Sequence, residues 1–100
     1  MFIGKKSRKI DQKKRITIPV KWRKNEYVLV NDDEIKVYKF DAWLKIFDNL
    51  DEEEKIMLSL KSHHLKPDKN SRIILPNFVN FRFVNLIGMK DYFILKKSDE

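Results

Sequence analysis

The sequence predicts a mainly β, α+β fold made of two equivalent halves joined by two short helices, and three observations predict it. A short phrase is written twice, as Asp11-x-x-x-Arg15-Ile16-x-x-Pro19 and, 57 residues later, as Asp68-x-x-x-Arg72-Ile73-x-x-Pro76. In both copies the residues between Arg and Pro are apolar on alternate positions, Ile16 and Ile18 in one, Ile73 and Leu75 in the other, which is the two-residue period of a strand. Between the copies the period changes to that of a helix. Two copies are too few for a repeat array, and a half of roughly 30 residues cannot bury a core alone, so the halves are expected to pair about a pseudo-twofold axis. One domain over residues 1–100 follows, with a first repeat at 5–40, a helical connector at 41–64 and a second repeat at 65–97.

Residues 5–14 are polar and lead into a first strand at 15–18, after which Pro19 cannot continue a ladder and 20–24 make a turn or a single helical turn. Residues 26–30 and 34–40 are rich in β-branched and aromatic side chains and flank Asn31-Asp32-Asp33, the chemistry of a hairpin turn. Trp43, Leu44, Phe47 and Leu50 then mark a short amphipathic helix with Asp41 as its cap. Asp51 and Glu54 form a capping box for a second helix, acidic near its start and carrying an apolar stripe of Ile56, Met57 and Leu60. The second copy repeats the hairpin, with strands at 83–87 and 92–96 and a turn through 88–91, where Gly88 suits a positive φ. Leu29 aligns with Leu86, Val30 with Ile87, Val37 with Ile94 and Lys39 with Lys96, so the register is expected to continue without a gap. Neither half has enough strands for a stable sheet, and interdigitating the two hairpins into one small barrel is the economical solution.

Composition narrows the function classes. No apolar run approaches the length of a membrane span, and Met1-Phe2-Ile3-Gly4 leads straight into charge without a signal-peptide core, so a cytosolic protein is expected. The chain has no cysteine, which excludes disulfides and thiolate metal sites. Residues 97–100 are expected to fray. The net charge of +7 is uneven, because residues 1–24 hold ten Lys/Arg against the single acid Asp11 while residues 25–62 are net acidic. A cationic field centred on copy one attracts polyanions by counterion release, and nucleic acid is the usual cytosolic candidate.

The start Met1-Phe2-x-Gly4, the box Asp11-x-Lys13-x-Arg15 followed by alternating apolar residues and Pro19, and a second box after a helical connector together resemble the MraZ family. Val84-Asn85-Leu86-Ile87-Gly88 with Tyr92-Phe93-Ile94-Leu95 is similar to that family's C-terminal hairpin, and Asp41-Ala42-Trp43 sits where its first connecting helix begins. The resemblance covers nearly the whole chain. It implies two AbrB-like (SpoVT/AbrB) half-repeats in one pseudo-twofold swapped-hairpin β-barrel and a ring-shaped homo-oligomer. It further implies a nucleoid-associated transcriptional regulator that binds repeated double-stranded DNA elements upstream of its own division and cell-wall operon. Two departures stand out: the family usually has glycine before each box arginine, where this chain has Lys14 and Ser71.

The site residues follow from the residues and the family motif together. Arg15 is the first choice for contacting DNA, because a planar guanidinium can grip guanine or phosphate with two hydrogen bonds, and its loop also presents Lys13 and Lys14. The competing reading of Arg15 is an ion pair with Asp11 that shapes the loop, a reading stronger for Arg72, whose neighbours Asn70 and Ser71 are neutral. Arg8 and Lys9, with Lys5 and Lys6, extend the cationic surface, whereas Asp11, Asp68, Pro19 and Pro76 are read as motif residues that serve the fold. The aromatic residues fall at strand or helix periods and are read as core and subunit contacts. His63-His64 has no third ligand at metal spacing, and no Gly-rich phosphate loop or nucleophile with a base is apparent, so no cofactor, metal, small-molecule substrate or enzyme activity is expected. The alternatives carried alongside are an AbrB-like antitoxin, a stand-alone AbrB-like regulator and a small basic RNA-binding module.

Overall fold

The computed structural model describes residues 3–23 and 25–98, so Met1 and Phe2 of the opening motif, Lys24 at the end of the first turn, and Asp99 and Glu100 of the tail lie outside the described residues. The order is β1 (Gly4–Lys9), β2 (Arg15–Thr17), a 3-10 turn (Val20–Trp22), β3 (Tyr27–Asn31), β4 (Ile35–Lys39), α1 (Phe40–Asp48), α2 (Glu52–Leu60), β5 (Ser62–Leu65), β6 (Arg72–Ile74), β7 (Phe83–Gly88) and β8 (Tyr92–Lys97). This is a small, mainly β α+β domain with two helices and a six-stranded antiparallel sheet. Among the described residues no helix is long and apolar enough to cross a membrane.

The sheet runs β1-β7-β8-β4-β3-β5, with β2 and β6 paired separately. Exchanging each strand of copy one for its counterpart in copy two reads that order backwards, so the sheet is the same from either edge. Each copy's first strand lies on the other copy's hairpin: β1 pairs with β7, and β5 pairs with β3. The registers match to the residue, since Lys5 opposite Ile87 has its counterpart in Ser62 opposite Val30. The smaller ladder centres on Ile16 opposite Ile73, residues that are themselves counterparts.

The gapless alignment fails at one point. Asn31 pairs with Ile35 across three turn residues, whereas Gly88 pairs with Phe93 across four. The last strand is therefore displaced by one residue, and the counterpart of Val37 is Leu95 and that of Lys39 is Lys97. Burial requires this, because a strand's side chains alternate between faces and a slip of one would turn its apolar set outward. Val37 and Leu95 are buried in the core, while Ile94 lies on the opposite face beside Lys36. The extra residue also frees Gly88 from the turn: it lies within β7, the reversal is closed by the Met89 amide donating to the Tyr92 carbonyl, and positive φ falls instead on Gly4, Lys14 and Ser71.

The core fills the space between one face of the large sheet and the β2–β6 ladder. Tyr27, Leu29, Val37, Val84, Leu86, Phe93 and Leu95 come from the sheet, and Ile16, Ile18, Ile73 and Leu75 come from the two boxes and their flanks. Trp22 stacks on Phe93 at 5.2 Å between ring centroids, and Tyr27 meets the same ring edge-on at 6.0 Å.

The helices break the symmetry. The Trp43 indole donates to Ser62 Oγ at 3.2 Å and Phe40 meets His64, which seats α1 on the outer face of β3 and β5 over the buried Val28 and Val30. Asp41 lies in the first turn of α1 and does not cap it, the N-cap position being Lys39; α2 begins with the full Asp51–Glu54 capping box. The stripe on α2 stays in solvent, with Ile56, Met57 and Leu60 58%, 61% and 76% exposed.

Two further expectations are corrected. The polar segment before the first box is in part a strand, β1, because an edge strand needs hydrogen bonds on one side only and lysines on its free side deter further pairing. Lys97 does not fray but lies in β8, and the Ser98 amide donates to the Phe83 carbonyl at 3.0 Å.

Candidate nucleic-acid interface

Each box is a loop folded around its aspartate. Asp11 Oδ1 accepts from the amides of Lys13 at 2.9 Å and Arg15 at 2.8 Å, and the Asp11 backbone closes the loop by donating to the Arg15 carbonyl and accepting from the Lys14 amide. Asp68 does the same with the amides of Asn70 and Arg72 and the backbone of Ser71. A short side chain that can take the place of a backbone acceptor makes this possible. The remaining carboxylate oxygen pairs with the arginine, Asp11 with Arg15 Nε at 2.7 Å and Asp68 with Arg72 Nε at 3.0 Å.

The arginine amide in each loop, above all, holds the carboxyl of Asp11 and of Asp68 below the usual 3.8, opposed by desolvation and helped by the guanidinium. A carboxyl acidified by folding stabilises the protein fully above its unfolded value and stops doing so as pH falls through its native value. Acid unfolding followed by circular dichroism is thus expected to steepen below about pH 4. In a D11N/D68N variant that acid-dependent part is expected to shrink.

Both loops turn through a left-handed residue, Lys14 at φ 65° and Ser71 at φ 59°, the positions before the arginines. The backbone shape that glycine would allow is thus kept by side chains that resist it. A left-handed L-residue costs roughly 1–2 kcal/mol, less the roughly 0.5–1 kcal/mol of extra freedom glycine loses on folding. Ser71→Gly is expected to stabilise the protein by about 0.5–1 kcal/mol, seen as a Tm higher by a few degrees in thermal denaturation. At Lys14 the gain is expected to be smaller, because its Nζ donates to the Val79 carbonyl across the loop.

The antiparallel β2–β6 ladder puts the two box loops at opposite ends of its three residue pairs, with Arg15 opposite Ile74 and Arg72 opposite Thr17. The sequence-derived site residues therefore belong to two loops, although Arg15 and Arg72 stand two residues apart along the ladder on its outer face. At the first end Lys13 is exposed, Arg15 is half-buried with its side chain 24% exposed, and its Nη groups have no partner among the described residues. Lys9 is exposed on β1, opposite Phe83. Arg8 lies on the core-facing side of β1 and is committed to carbonyls, Nε to Thr17 at 3.3 Å and Nη1 to Ser7 at 3.1 Å. Pro19 and Pro76 open matching turns, closed by the Trp22 and Val79 amides. Of the two histidines, His64 meets Glu26 at 2.8 Å and His63 packs on Phe78.

Each box borders a shallow cleft. The first is lined by Lys9, Asp11, Lys14, Phe81 and Arg82 among others, the second by Arg23, Glu26, Lys66, Asp68 and Ser71. Arg82 is the basic residue that inspection of the boxes overlooks. It belongs to the second copy, but strand exchange carries it to the first box, where its carbonyl accepts from the Ile10 amide at 2.9 Å. Its counterpart 57 residues earlier is Asn25, so the duplication gave no sign of it. In comparison with known proteins, no family model and no curated protein matches this chain.

Proposed function

We propose that this chain is a sequence-specific DNA-binding transcriptional regulator built on a swapped-hairpin barrel of the AbrB-like kind, resembling MraZ. The observation that carries the reading is the first box: a loop pinned by Asp11 holds exposed Lys13 beside an arginine whose Nη groups remain available at the more basic end of the β2–β6 ladder. Pre-set guanidinium geometry suits bidentate contact with guanine or phosphate, and the surrounding lysines suit phosphates. The exchanged strands and the palindromic sheet support the swapped-hairpin description.

A single loop of this size binds weakly, since non-specific affinity is around 10⁻⁴ to 10⁻⁶ M and tethered copies multiply it by roughly 10²–10⁴. Display on a homo-oligomer supplies that multiplication and fits a target of repeated elements. The exposed apolar stripe on α2 supports self-association. The test is to sequence DNA recovered with the purified protein and measure its mass in solution. Enrichment of repeats upstream of its own operon by an oligomer is expected; recovery of structured RNA, or of no nucleic acid by a monomer, would contradict the proposal.

A further inference from the structure

We infer that the polyanion site is composite and one-ended: Arg82 from the second copy completes the first-box cleft as a phosphate-contacting residue, and the matching cleft at the second box binds no nucleic acid. The inference rests on the DNA-binding reading and specifies where on the symmetric scaffold it acts. The backbone is duplicated, but the charge is not. Lys5, Lys6 and Arg8 of β1 are replaced in β5 by Ser62, His63 and Leu65. Lys13 and Lys14 become Asn70 and Ser71, and Arg82 becomes Asn25. In the reverse direction Lys69 stands where the first end has Gln12, and Arg23 where it has Asn80, but Arg23 Nε is engaged by the Ile18 carbonyl at 2.9 Å. A second carboxylate, Glu26, also borders the second cleft, so its two cations face two acids, while Lys9, Arg82 and Lys14, whose Nζ is likewise engaged by a carbonyl, that of Val79, face Asp11 alone.

The outer faces of the two edge strands differ in the same sense. α1 touches the outer face of β5 through the Trp43–Ser62 and Phe40–His64 contacts while leaving His64 exposed, whereas on the outer face of β1 the exposed side chains are the cations Lys5 and Lys9. A strand rises about 3.3 Å per residue, so β1 and the loop beyond it offer cations along a length comparable to several phosphates of one DNA strand. Arg82, exposed and held over the Phe83 ring with its guanidinium carbon 5.8 Å from the centroid, borders that track where β1 meets the loop. The geometry thus gives the first end a charge and a length of cationic track that the second end lacks.

The test uses the full chain and a labelled mixed-sequence DNA duplex, with binding read by fluorescence anisotropy over a range of salt. Arg82→Ala is expected to weaken binding about tenfold and to lower the log–log salt slope by about 0.9, the signature of one lost phosphate contact, and Arg82→Glu to weaken it further. The double change K66A/K69A at the other end, which removes more charge, is expected to stay within about twofold. Circular dichroism checks that each variant folds. If Arg82→Ala binds as the parent does while Lys13→Ala is weakened, the DNA-binding reading stands and the composite site is overturned. Equal losses at both ends would overturn the one-ended assignment, and salt-independent or absent binding by the parent protein would remove the reading beneath it.

Discussion

Arg15→Ala is expected to reduce DNA affinity by about tenfold to a hundredfold, and Arg72→Ala by less than about threefold, although the two changes are matched structurally. Both arginines pair through Nε with an aspartate four residues earlier, both follow a left-handed residue, and their side chains are similarly exposed, at 24% and 29%. Each substitution removes the same loop ion pair, so the two variants are expected to lose stability equally in thermal denaturation. What separates them is the loop and the cleft it borders: Lys13 and Lys14 in one loop with Arg82 lining its cleft, Asn70 and Ser71 in the other with Asn25 lining the matching cleft. The pair of variants thus distinguishes an arginine that meets DNA from one that only shapes its loop. Parental affinity in both variants would assign both arginines to the fold, and equal losses would place both at the DNA.

The largest stability effect is expected at Phe93, where alanine should cost about 3–5 kcal/mol. The side chain is fully buried, and its ring is shared between Trp22, stacked at 5.2 Å, and Tyr27, edge-on at 6.0 Å. Both partners belong to the first copy, so this one ring from the second copy joins the halves. A cavity of that size opens between the β2–β6 ladder and the sheet and should be felt by both. Chemical denaturation of Phe93→Ala is expected to keep the parent's m-value while lowering the midpoint, because a single shared core leaves no half able to stand alone. A separate transition for each half would contradict the shared core.

Much of this architecture can be read from the residues, and the exceptions have physical causes. The hairpins at β3–β4 and β7–β8, the capping box of α2 and the short strands after each arginine follow from period and turn chemistry. The strands β1 and β5 do not, because Lys5, Lys6, Arg8 and Lys9, or His63 and His64, carry no apolar alternation; these segments become strands only because an exposed edge of the other copy's hairpin awaits them. The one-residue shift in β8 was hidden for a related reason, since Ile94 and Leu95 are both apolar and only burial decides which matches Val37. In the candidate site, Arg15, Lys13 and Asp11 are legible from the box itself. Arg82 is not, because a strand exchange between copies, rather than any local pattern, places it there.

Amide hydrogen exchange of the parent protein with and without a saturating DNA duplex tests most directly whether the basic first-box end is the binding surface. The account predicts slowed exchange confined to residues 9–15 and 80–83, with residues 66–72 unchanged. Equal slowing at both boxes, slowing at the second box alone, or no change at saturation would contradict it.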